Sequence, residues 1–327
     1  MIALGGAALA DAVRDGDTAE VGTDQTAATT ATTEASAAPE LRLPGMAAPG
    51  RIVFTDARSC ELRAFDIQAG RLVDLPPVAT TCELWAPRVG THVAFVLPDD
   101  LGDSIRHFSV RNLEDPEAAF GEYTAVAHAP VAWSSDGSKL AWCDTPDSGF
   151  ELSFGRQPVR LNRCVRAYGP GGVRVAWKFG RQGVKIVIGD APPIAAGFAW
   201  EIASGTDGSL AVFVEGRRVD RYEDGRLVGT TDVAPDTPAN PRVGHPALAP
   251  DNCAALSVGP GVVELIDLGC FRGSAPRTFP GLYAAWSPDG DWIAVAQPNA
   301  VVFHRVVGPA ATVRWEVAVG QLAWVGG

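Results

Sequence analysis

The composition of this chain limits the classes of protein to which it can belong. It has 327 residues, 46% of them hydrophobic, which is enough apolar material for a core. Its 36 glycines and 25 prolines indicate that many turns separate the core-forming segments. A formal net charge of −11 argues against a nucleic-acid-binding surface, which needs a basic face. No stretch approaches the roughly 20 consecutive apolar residues of a membrane-spanning helix.

The first 50 residues differ in composition from the rest. Residues 2–10, IALGGAALA, are uncharged and end in the A-x-A pattern of a signal-peptide cleavage site, although no basic segment precedes them. We interpret residues 1–10 as the remnant of a signal peptide or anchor, with a chance Ala-rich start as the alternative. Residues 11–50 are rich in Ala and Thr and contain no aromatic residue, so they are predicted to form a disordered linker or tail. The folded domain is predicted to cover residues 51–327.

From residue 85 onward the chain repeats one pattern, a tight turn followed by an apolar strand. The copies are WAPRVGTHVAFV (85–96), WSSDGSKLAW (133–142), YGPGGVRVAW (168–177), SGTDGSLAVFV (204–214), LAPDNCAALSV (248–258) and WSPDGDWIAVA (286–296). The turns recur about every 40 residues, which is typical of propeller blades. Each turn carries Gly, or Asn at position 252, because that residue takes positive φ. Two further strands follow each copy, and helical periodicity is absent, so we predict an all-β protein of four-stranded units.

The two ends of this region supply one more unit. Residues 321–325 resemble the first strand of a unit, whereas residues 51–56 resemble a second strand and two more strands follow them. We therefore predict a β-propeller whose ring is closed when the C-terminal strand joins the N-terminal blade, an arrangement that avoids exposed sheet edges. Seven four-stranded blades are favoured. A weak fourth strand at residues 193–196 leaves six blades as the alternative.

The phrase WSPDG followed by an apolar strand resembles the TolB-like, WD-like propeller repeat of exported bacterial proteins. The resemblance extends over nearly all of residues 51–327; two copies, 133–142 and 286–296, match well, and the others are degenerate. It implies a propeller with a binding face. It implies no particular ligand, because propellers serve as scaffolds, receptors and enzymes alike.

Tryptophan recurs at one position of the repeat, which predicts packing between blades at Trp85, Trp133, Trp286 and Trp324. Trp200 and Trp315 do not fit that position and are expected to be partly exposed.

Six cysteines suggest three local disulfides. The pairs Cys60–Cys82 and Cys143–Cys164 occupy equivalent places in two repeats, where a second strand ends near the crossing to the next blade. The third pair, Cys253–Cys270, falls on neighbouring antiparallel strands at the spacing that a disulfide prefers. Three disulfides would indicate an oxidising compartment. Six buried thiols are the alternative interpretation.

No residue pattern indicates a catalytic, cofactor or metal site. The five histidines lack metal-ligand spacing, and no G-x-S-x-G elbow is present. An acidic loop with Asp99, Asp100 and Asp103 could hold Ca²⁺, although a solvated loop is the simpler interpretation. A Pro-rich segment over residues 232–245 interrupts the repeats and is predicted to contact a partner. Its candidate contact residues are Asp232, Asp236, Asn240, Arg242 and His245.

These features favour a non-catalytic, exported β-propeller that acts as a binding or scaffold module at the cell envelope. The protein is expected to be an extracytoplasmic monomer, secreted or tethered to the membrane, with a protein partner and no cofactor. A propeller enzyme or sugar-binding protein with a site in the central channel is the alternative. The inner strands oppose it, because they are mostly apolar apart from Arg88, Arg166 and Glu201. A cytosolic WD-like scaffold, which reduced cysteines would support, is a third interpretation.

Overall fold

The regular structure of the chain is entirely β within the residues that the computed structural model describes, which contain 28 strands and no α-helix. Those residues are 41–46, 50–98, 105–115, 117, 119–126, 131–145, 147–169, 172–180, 183–195, 199–204, 209–214, 218–232, 247–251, 253–268, 277–307 and 310–326. The strands form seven antiparallel four-stranded sheets, and the sheets are the blades of a seven-bladed β-propeller. The predicted fold class and the favoured blade number are therefore confirmed.

The first four blades follow one another along the chain. Blade 1 contains β1 (Arg51–Asp56), β2 (Leu62–Asp66) and β3 (Arg71–Val73). Blade 2 contains β4 (Leu84–Trp85), β5 (His92–Val96), β6 (Ile105–Asn112) and β7 (Ala119–Val126). Blade 3 contains β8 (Ala132–Trp133), β9 (Lys139–Thr145), β10 (Ser148–Ser153) and β11 (Val159–Leu161). Blade 4 contains β12 (Cys164–Tyr168), β13 (Arg174–Gly180), β14 (Gly183–Ile188) and the weak fourth strand, β15 (Ile194–Ala195).

The last three blades repeat the same order. Blade 5 contains β16 (Ala199–Ser204), β17 (Leu210–Val214), β18 (Arg218–Glu223) and β19 (Arg226–Asp232). Blade 6 contains β20 (Ala247–Leu248), β21 (Ala254–Gly259), β22 (Val262–Asp267) and β23 (Arg277–Pro280). Blade 7 contains β24 (Tyr283–Trp286), β25 (Trp292–Gln297), β26 (Ala300–Arg305) and β27 (Thr312–Trp315). The final strand, β28 (Val319–Val325), is the first strand of blade 1.

The order of strands within each blade defines two faces of the ring. The first strands of neighbouring blades contact one another, as β28 does with β24 and β4, so the first strands line the central channel and the fourth strands lie outside. We call the lower face the one that carries the turns between first and second strands. The upper face carries the loops between second and third strands and the connections between blades.

The ring closes where β28 pairs with β1. The register runs from Arg51 opposite Val325 to Asp56 opposite Val319, with an irregularity at Thr55. The Thr55 side chain is fully buried, and its hydroxyl accepts a hydrogen bond from the Gln321 amide at 3.0 Å and donates one to the Cys82 carbonyl at 3.2 Å. One hydroxyl therefore joins the two closing strands to the segment that enters blade 2.

The repeated turn is held by its own serine and aspartate. In blade 7 the Ser287 hydroxyl donates to Asp289 Oδ1 at 2.5 Å and accepts from the Trp292 amide at 2.9 Å, while the Gly290 amide donates to the Ser287 carbonyl at 3.0 Å. The turn of blade 3 has the same bonds among Ser134, Asp136, Gly137 and Lys139. Positive φ, as predicted, occurs at Gly90, Gly137, Gly172 and Gly290. Gly208 and Asn252 lie outside the described residues.

Neighbouring turns also pack on one another along the lower face. A Cβ on Gly137 would lie 2.1 Å from the Val89 carbonyl oxygen in the turn of blade 2, so this position needs glycine for space as well as for φ. A Cβ on Gly290 would lie 3.0 Å from Pro250 of blade 6. The glycine of the motif therefore sets the contact between blades as well as the shape of its own turn.

The apolar core consists of clusters that each join two adjacent blades. Trp85 lies in the cluster between blades 2 and 3, Trp286 in that between blades 6 and 7, and Trp324 in that between blades 7 and 1. Trp133 is half-buried against the first of these, so the recurrent tryptophans pack between blades as predicted. The expectation that Trp315 is partly exposed was wrong, because it is buried against Phe54 and Phe65 of blade 1. The side chain of Trp200 lies outside the described residues.

A short N-terminal strap, residues 41–46, packs on the interface between blades 7 and 1. Leu41 is 2% exposed and Leu43 is buried, and both belong to the same cluster as Trp292 and Trp324. The predicted linker therefore ends before these residues, and the packed domain begins at least ten residues before the predicted boundary at Arg51. Two apolar leucines between polar neighbours were too short a signal to detect in the sequence. Residues 1–40, with the predicted signal or anchor remnant, lie outside the described residues.

Blades 3 and 4 share a buried ionic contact. Arg174 of β13 donates two hydrogen bonds of 2.8 Å to the Glu151 carboxylate of β10, and the Tyr168 hydroxyl of β12 donates a third at 2.7 Å. Glu151 is only 6% exposed. The hydrogen bonds from Arg174, above all, hold the pKa of Glu151 below its ordinary value, despite the opposing effect of burial.

The strap is expected to contribute to the stability of the whole ring. Replacing Leu41 with Ala should lower the free energy of unfolding by about 2–3 kcal/mol, because it leaves a cavity in the cluster between blades 7 and 1. Leu72→Ala, at an exposed leucine of β3, is the matched control and should change stability by less than about 0.5 kcal/mol. Chemical denaturation of the full chain measures both values. Equal effects would show that the strap does not stabilise the closure.

The Glu151 contact should make stability depend on pH. Because the folded-state pKa is lowered, the stabilisation is complete above the unfolded-state pKa of about 4.3 and is lost as the pH falls through the folded-state value. The melting temperature of the native chain should therefore exceed that of Glu151→Gln at neutral pH, and the difference should shrink below about pH 4. Glu122→Gln, at an exposed position, is the control. A constant difference down to acidic pH would contradict this interpretation.

Candidate functional site

The two irregular segments singled out in the sequence connect strand ends on the same face. The acidic segment follows β5 and precedes β6, and the Pro-rich segment follows β19 and precedes β20. Both junctions lie on the upper face, because β5 is a second strand and β19 a fourth strand. Asp232 is the exposed last residue of β19. The remaining candidates, Asp236, Asn240, Arg242 and His245 and the acidic Asp99, Asp100 and Asp103, lie outside the described residues.

A group of polar residues lies at the upper mouth of the channel. Glu83 directly precedes β4, Gln321 lies in β28 and Tyr283 begins β24, so three adjacent first strands each supply one residue. Gln321 Oε1 accepts a hydrogen bond from the Leu84 amide at 2.9 Å, and Glu83 forms an ion pair with Arg106 of β6. We call Glu83, Arg106, Tyr283 and Gln321 the rim cluster.

The electrostatics of the rim cluster keep Tyr283 protonated. Burial raises the pKa of Tyr283 above its ordinary value, and the negative charge of Glu83 raises it further. Its hydroxyl forms no hydrogen bond with any described residue. The rim cluster therefore combines a phenol donor, a carboxylate, a guanidinium and an amide around one mouth, a set that can donate and accept hydrogen bonds to a polar ligand or to a protein loop.

The lower mouth is bridged by Arg88. Its guanidinium, in the turn of blade 2, donates a hydrogen bond to the Leu248 carbonyl of blade 6, and its own carbonyl accepts one from the Gly326 amide at 2.7 Å. Burial lowers the pKa of Arg88 to about 10, with Asp251 acting in the opposite direction, so the side chain is charged at neutral pH. Arg88, which the sequence analysis noted as a basic exception on the inner strands, thus links blades 2 and 6 across the lower mouth.

The other two polar residues noted on the inner strands have different surroundings. The Arg166 guanidinium lies 4.3 Å from the centre of the Trp177 ring in the adjacent strand of blade 4, the geometry of a cation–π contact. The side chain of Glu201 lies outside the described residues. The rim cluster was not identified from the sequence, because its members come from three different repeats and from positions that the repeat does not share.

Two of the predicted disulfides are present, and each joins neighbouring blades. Cys60, in the loop after β1, is bonded to Cys82, which precedes β4, with 4.6 Å between their Cα atoms. Cys143 in β9 is bonded to Cys164 in β12 across 4.9 Å. Both bonds lie at the upper ends of their strands. Cys253 is also disulfide-bonded, but its predicted partner Cys270 lies outside the described residues.

Two further observations concern the part of the chain that the structure describes. No group of three His, Cys, Asp or Glu side chains there is arranged to hold a metal ion. No helix there has the length and apolar character needed to cross a membrane.

Comparison with known proteins supports the fold. No protein-family model and no curated protein sequence matches this chain. Solved structures do: a functionally unknown protein from Desulfotomaculum acetoxidans DSM 771 is similar with a TM-score of 0.57 and 10% identity, over 84% of this chain and 98% of that one. AztD from Citrobacter koseri is similar with a TM-score of 0.57 and 12% identity, over 85% and 98% of the two chains, and apo AztD has a TM-score of 0.54. At these identities the likeness extends to the propeller fold alone.

The disulfides should be measurable in the mature protein. Non-reducing peptide mapping should recover Cys60–Cys82, Cys143–Cys164 and the predicted Cys253–Cys270 pair as linked peptides. Removing either described bond by a double Cys→Ala substitution should cost about 3 kcal/mol of stability, since each closes a loop of some 20 residues. Ser59→Ala, beside Cys60 in the same exposed loop, is the control. Recovery of unlinked, alkylated cysteines from freshly isolated protein would contradict the assignment.

Proposed function

We propose that this protein is an exported β-propeller that binds a protein partner at the cell envelope through its upper face. The resemblance to TolB-like repeats supports only the general expectation of a propeller with a binding face. The observation that carries this proposal is the clustering of features on that face. Both described disulfides, the rim cluster and the strand ends that flank the two irregular segments all lie there. Disulfides persist in oxidising compartments, so their use in this face favours export.

The rigidity of the upper face supports a binding role. Cys60–Cys82 fixes the entrance to blade 2 directly beside Glu83, and Cys143–Cys164 fixes the crossing from blade 3 to blade 4. A surface with fixed connections loses less conformational entropy on binding, so more of the contact energy remains as affinity. The segments of residues 99–103 and 232–245, whose flanking strands end on this face, are our candidates for further contacts with the partner. Binding, rather than catalysis, is the role that this arrangement favours.

A small polar ligand in the upper mouth is the second candidate function. The protonated Tyr283, the Glu83 carboxylate and the Gln321 amide resemble the mixed donors and acceptors by which proteins bind sugars. Because a channel mouth is concave, such a ligand would contact the rim cluster and not the outer loops. The two candidate functions therefore predict loss of binding in different variants.

The proposal is tested with purified full-length protein as bait for envelope proteins of the source cells. Tyr283→Phe combined with Glu83→Gln should reduce capture of a specific partner at least about tenfold, as removal of central interface residues does. Replacing residues 233–245 by a short Gly/Ser turn should also reduce capture. Asp190→Asn, at an exposed turn of the lower face, is the control and should leave it unchanged.

The outcomes separate the candidate functions. Loss of capture in both upper-face variants supports a protein partner. Loss of binding to a set of soluble sugars in the rim variant alone, with protein capture unaffected by the loop replacement, would favour the small-ligand function. Unchanged binding in every variant, or recovery of the protein in the cytosol with reduced cysteines, would overturn the proposal.

A further inference from the structure

The outer strand of blade 5, β19, is unusually exposed. It has seven residues, and all of them are exposed except Thr231, which is half-buried. Leu227 and Val228 are 54% and 45% exposed. The strand is the last in its sheet, and among the described residues no other strand pairs with its outer edge. Its backbone therefore presents a row of hydrogen-bonding groups to solvent.

Among the described residues, no other blade has an outer strand of this kind. Those of blades 1, 3, 4, 6 and 7 have only two to four residues, as β3, β11, β15, β23 and β27. Short edge strands are a usual protection against pairing between molecules. The outer strand of blade 2, β7, has eight residues, but it contacts β9 of the next blade. The exposure of β19 is therefore a local property of blade 5, not of the fold.

We propose that β19 is a self-association site at which two copies of this chain pair edge to edge in antiparallel orientation, centred on Gly229. In this register Arg226 lies opposite Asp232 of the second copy at both ends, and Leu227 and Val228 lie opposite Thr231 and Thr230. The sequence RLVGTTD is therefore complementary to itself in charge under a two-fold axis. This differs from the monomer expected from the sequence.

The side chains at the ends of β19 are available for this pairing. Neither Arg226 nor Asp232 forms an ion pair within the described residues, although Arg218 and Asp220 on the adjacent strand pair with each other at 2.9 Å. At the centre, a Cβ added to Gly229 would meet no atom within 4 Å, so no side chain or backbone of this chain covers the face of the strand at that point. Thr230 is held on its own blade by a 3.0 Å hydrogen bond to Asp220. The strand thus presents a fixed edge.

One feature limits the strength of the association. The register of β18 and β19 shifts at Val228, which has no partner on β18, and such a bulge twists an edge and opposes extended pairing. We therefore expect a reversible dimer whose population rises with protein concentration. Sedimentation velocity of the full chain over a concentration series measures it.

Charge exchange tests the register directly. Arg226→Asp and Asp232→Arg each place like charges opposite one another at both ends of the paired strands, so each should weaken self-association at least about tenfold. Arg226→Asp/Asp232→Arg restores opposite charges and should restore the dimer. An equimolar mixture of the two single variants should also dimerise, because every end pair is then of opposite charge.

A second pair of variants tests whether dimerisation requires the edge of β19 or responds to any added surface charge. Val228→Lys should abolish dimerisation, because a lysine on an edge strand blocks pairing. Val159→Lys, at a valine that is 60% exposed on the three-residue outer strand β11, is the matched control and should have no effect. A native chain that stays monomeric at every concentration would overturn the proposal. So would a dimer that is insensitive to the charge exchange and to Val228→Lys.

Discussion

The whole propeller depends on the pairing of β28 with β1. These strands lie at opposite ends of the folded region, and only their pairing gives blade 1 its first, innermost strand and the ring its closure. The entropy lost in joining distant segments grows slowly with their separation, so the interface can offset it with burial. The cluster between blades 7 and 1 offsets this entropy by burying several aromatic side chains, among them Trp292, Phe303 and Trp324.

Hydrogen bonds then connect the closed blade 1 to blade 2. Thr55 joins both closing strands to the segment before blade 2, and the Gly326 amide joins the end of β28 to the Arg88 carbonyl.

Much of this architecture could be read from the sequence because the repeat constrains it locally. The Ser-x-Asp-Gly turns of blades 3 and 7 predicted where those hairpins begin, since a serine hydroxyl, an aspartate and a positive-φ glycine act within one short segment. The disulfides Cys60–Cys82 and Cys143–Cys164 were predictable for the same reason, because equivalent positions in two repeats have equivalent neighbours. The strap was missed, and Trp315 was misplaced, since both depend on contacts between blades 7 and 1 that no single repeat specifies.

The candidate site could be predicted only in part. The irregular segments were visible as interruptions of the repeat, and the topology places their flanking strand ends on one face. The rim cluster was not visible, because Glu83, Tyr283 and Gln321 belong to three units and come together only when the ring closes. Arg88 was noted as an exception on the inner strands, but its partner in blade 6 could not be inferred from the distance between them in the sequence. A site formed between repeats consists of residues that differ from one repeat to the next, so the shared pattern of the repeat does not reveal it.

The position of the strap determines how a pulling force would enter the domain. Tension transmitted along the N-terminal segment reaches Leu41 and Leu43 first, before it reaches Arg51 at the start of β1. Because these leucines are inserted in the seam between blades 7 and 1, the load is spread over both blades and is not applied to the hydrogen bonds between β1 and β28 one after another. Unzipping a strand from its end breaks bonds singly, whereas shearing a packed segment must displace many contacts together. A force applied at the N-terminal end of the strap would therefore have to displace the packed leucines before it could load the pairing of β1 with β28.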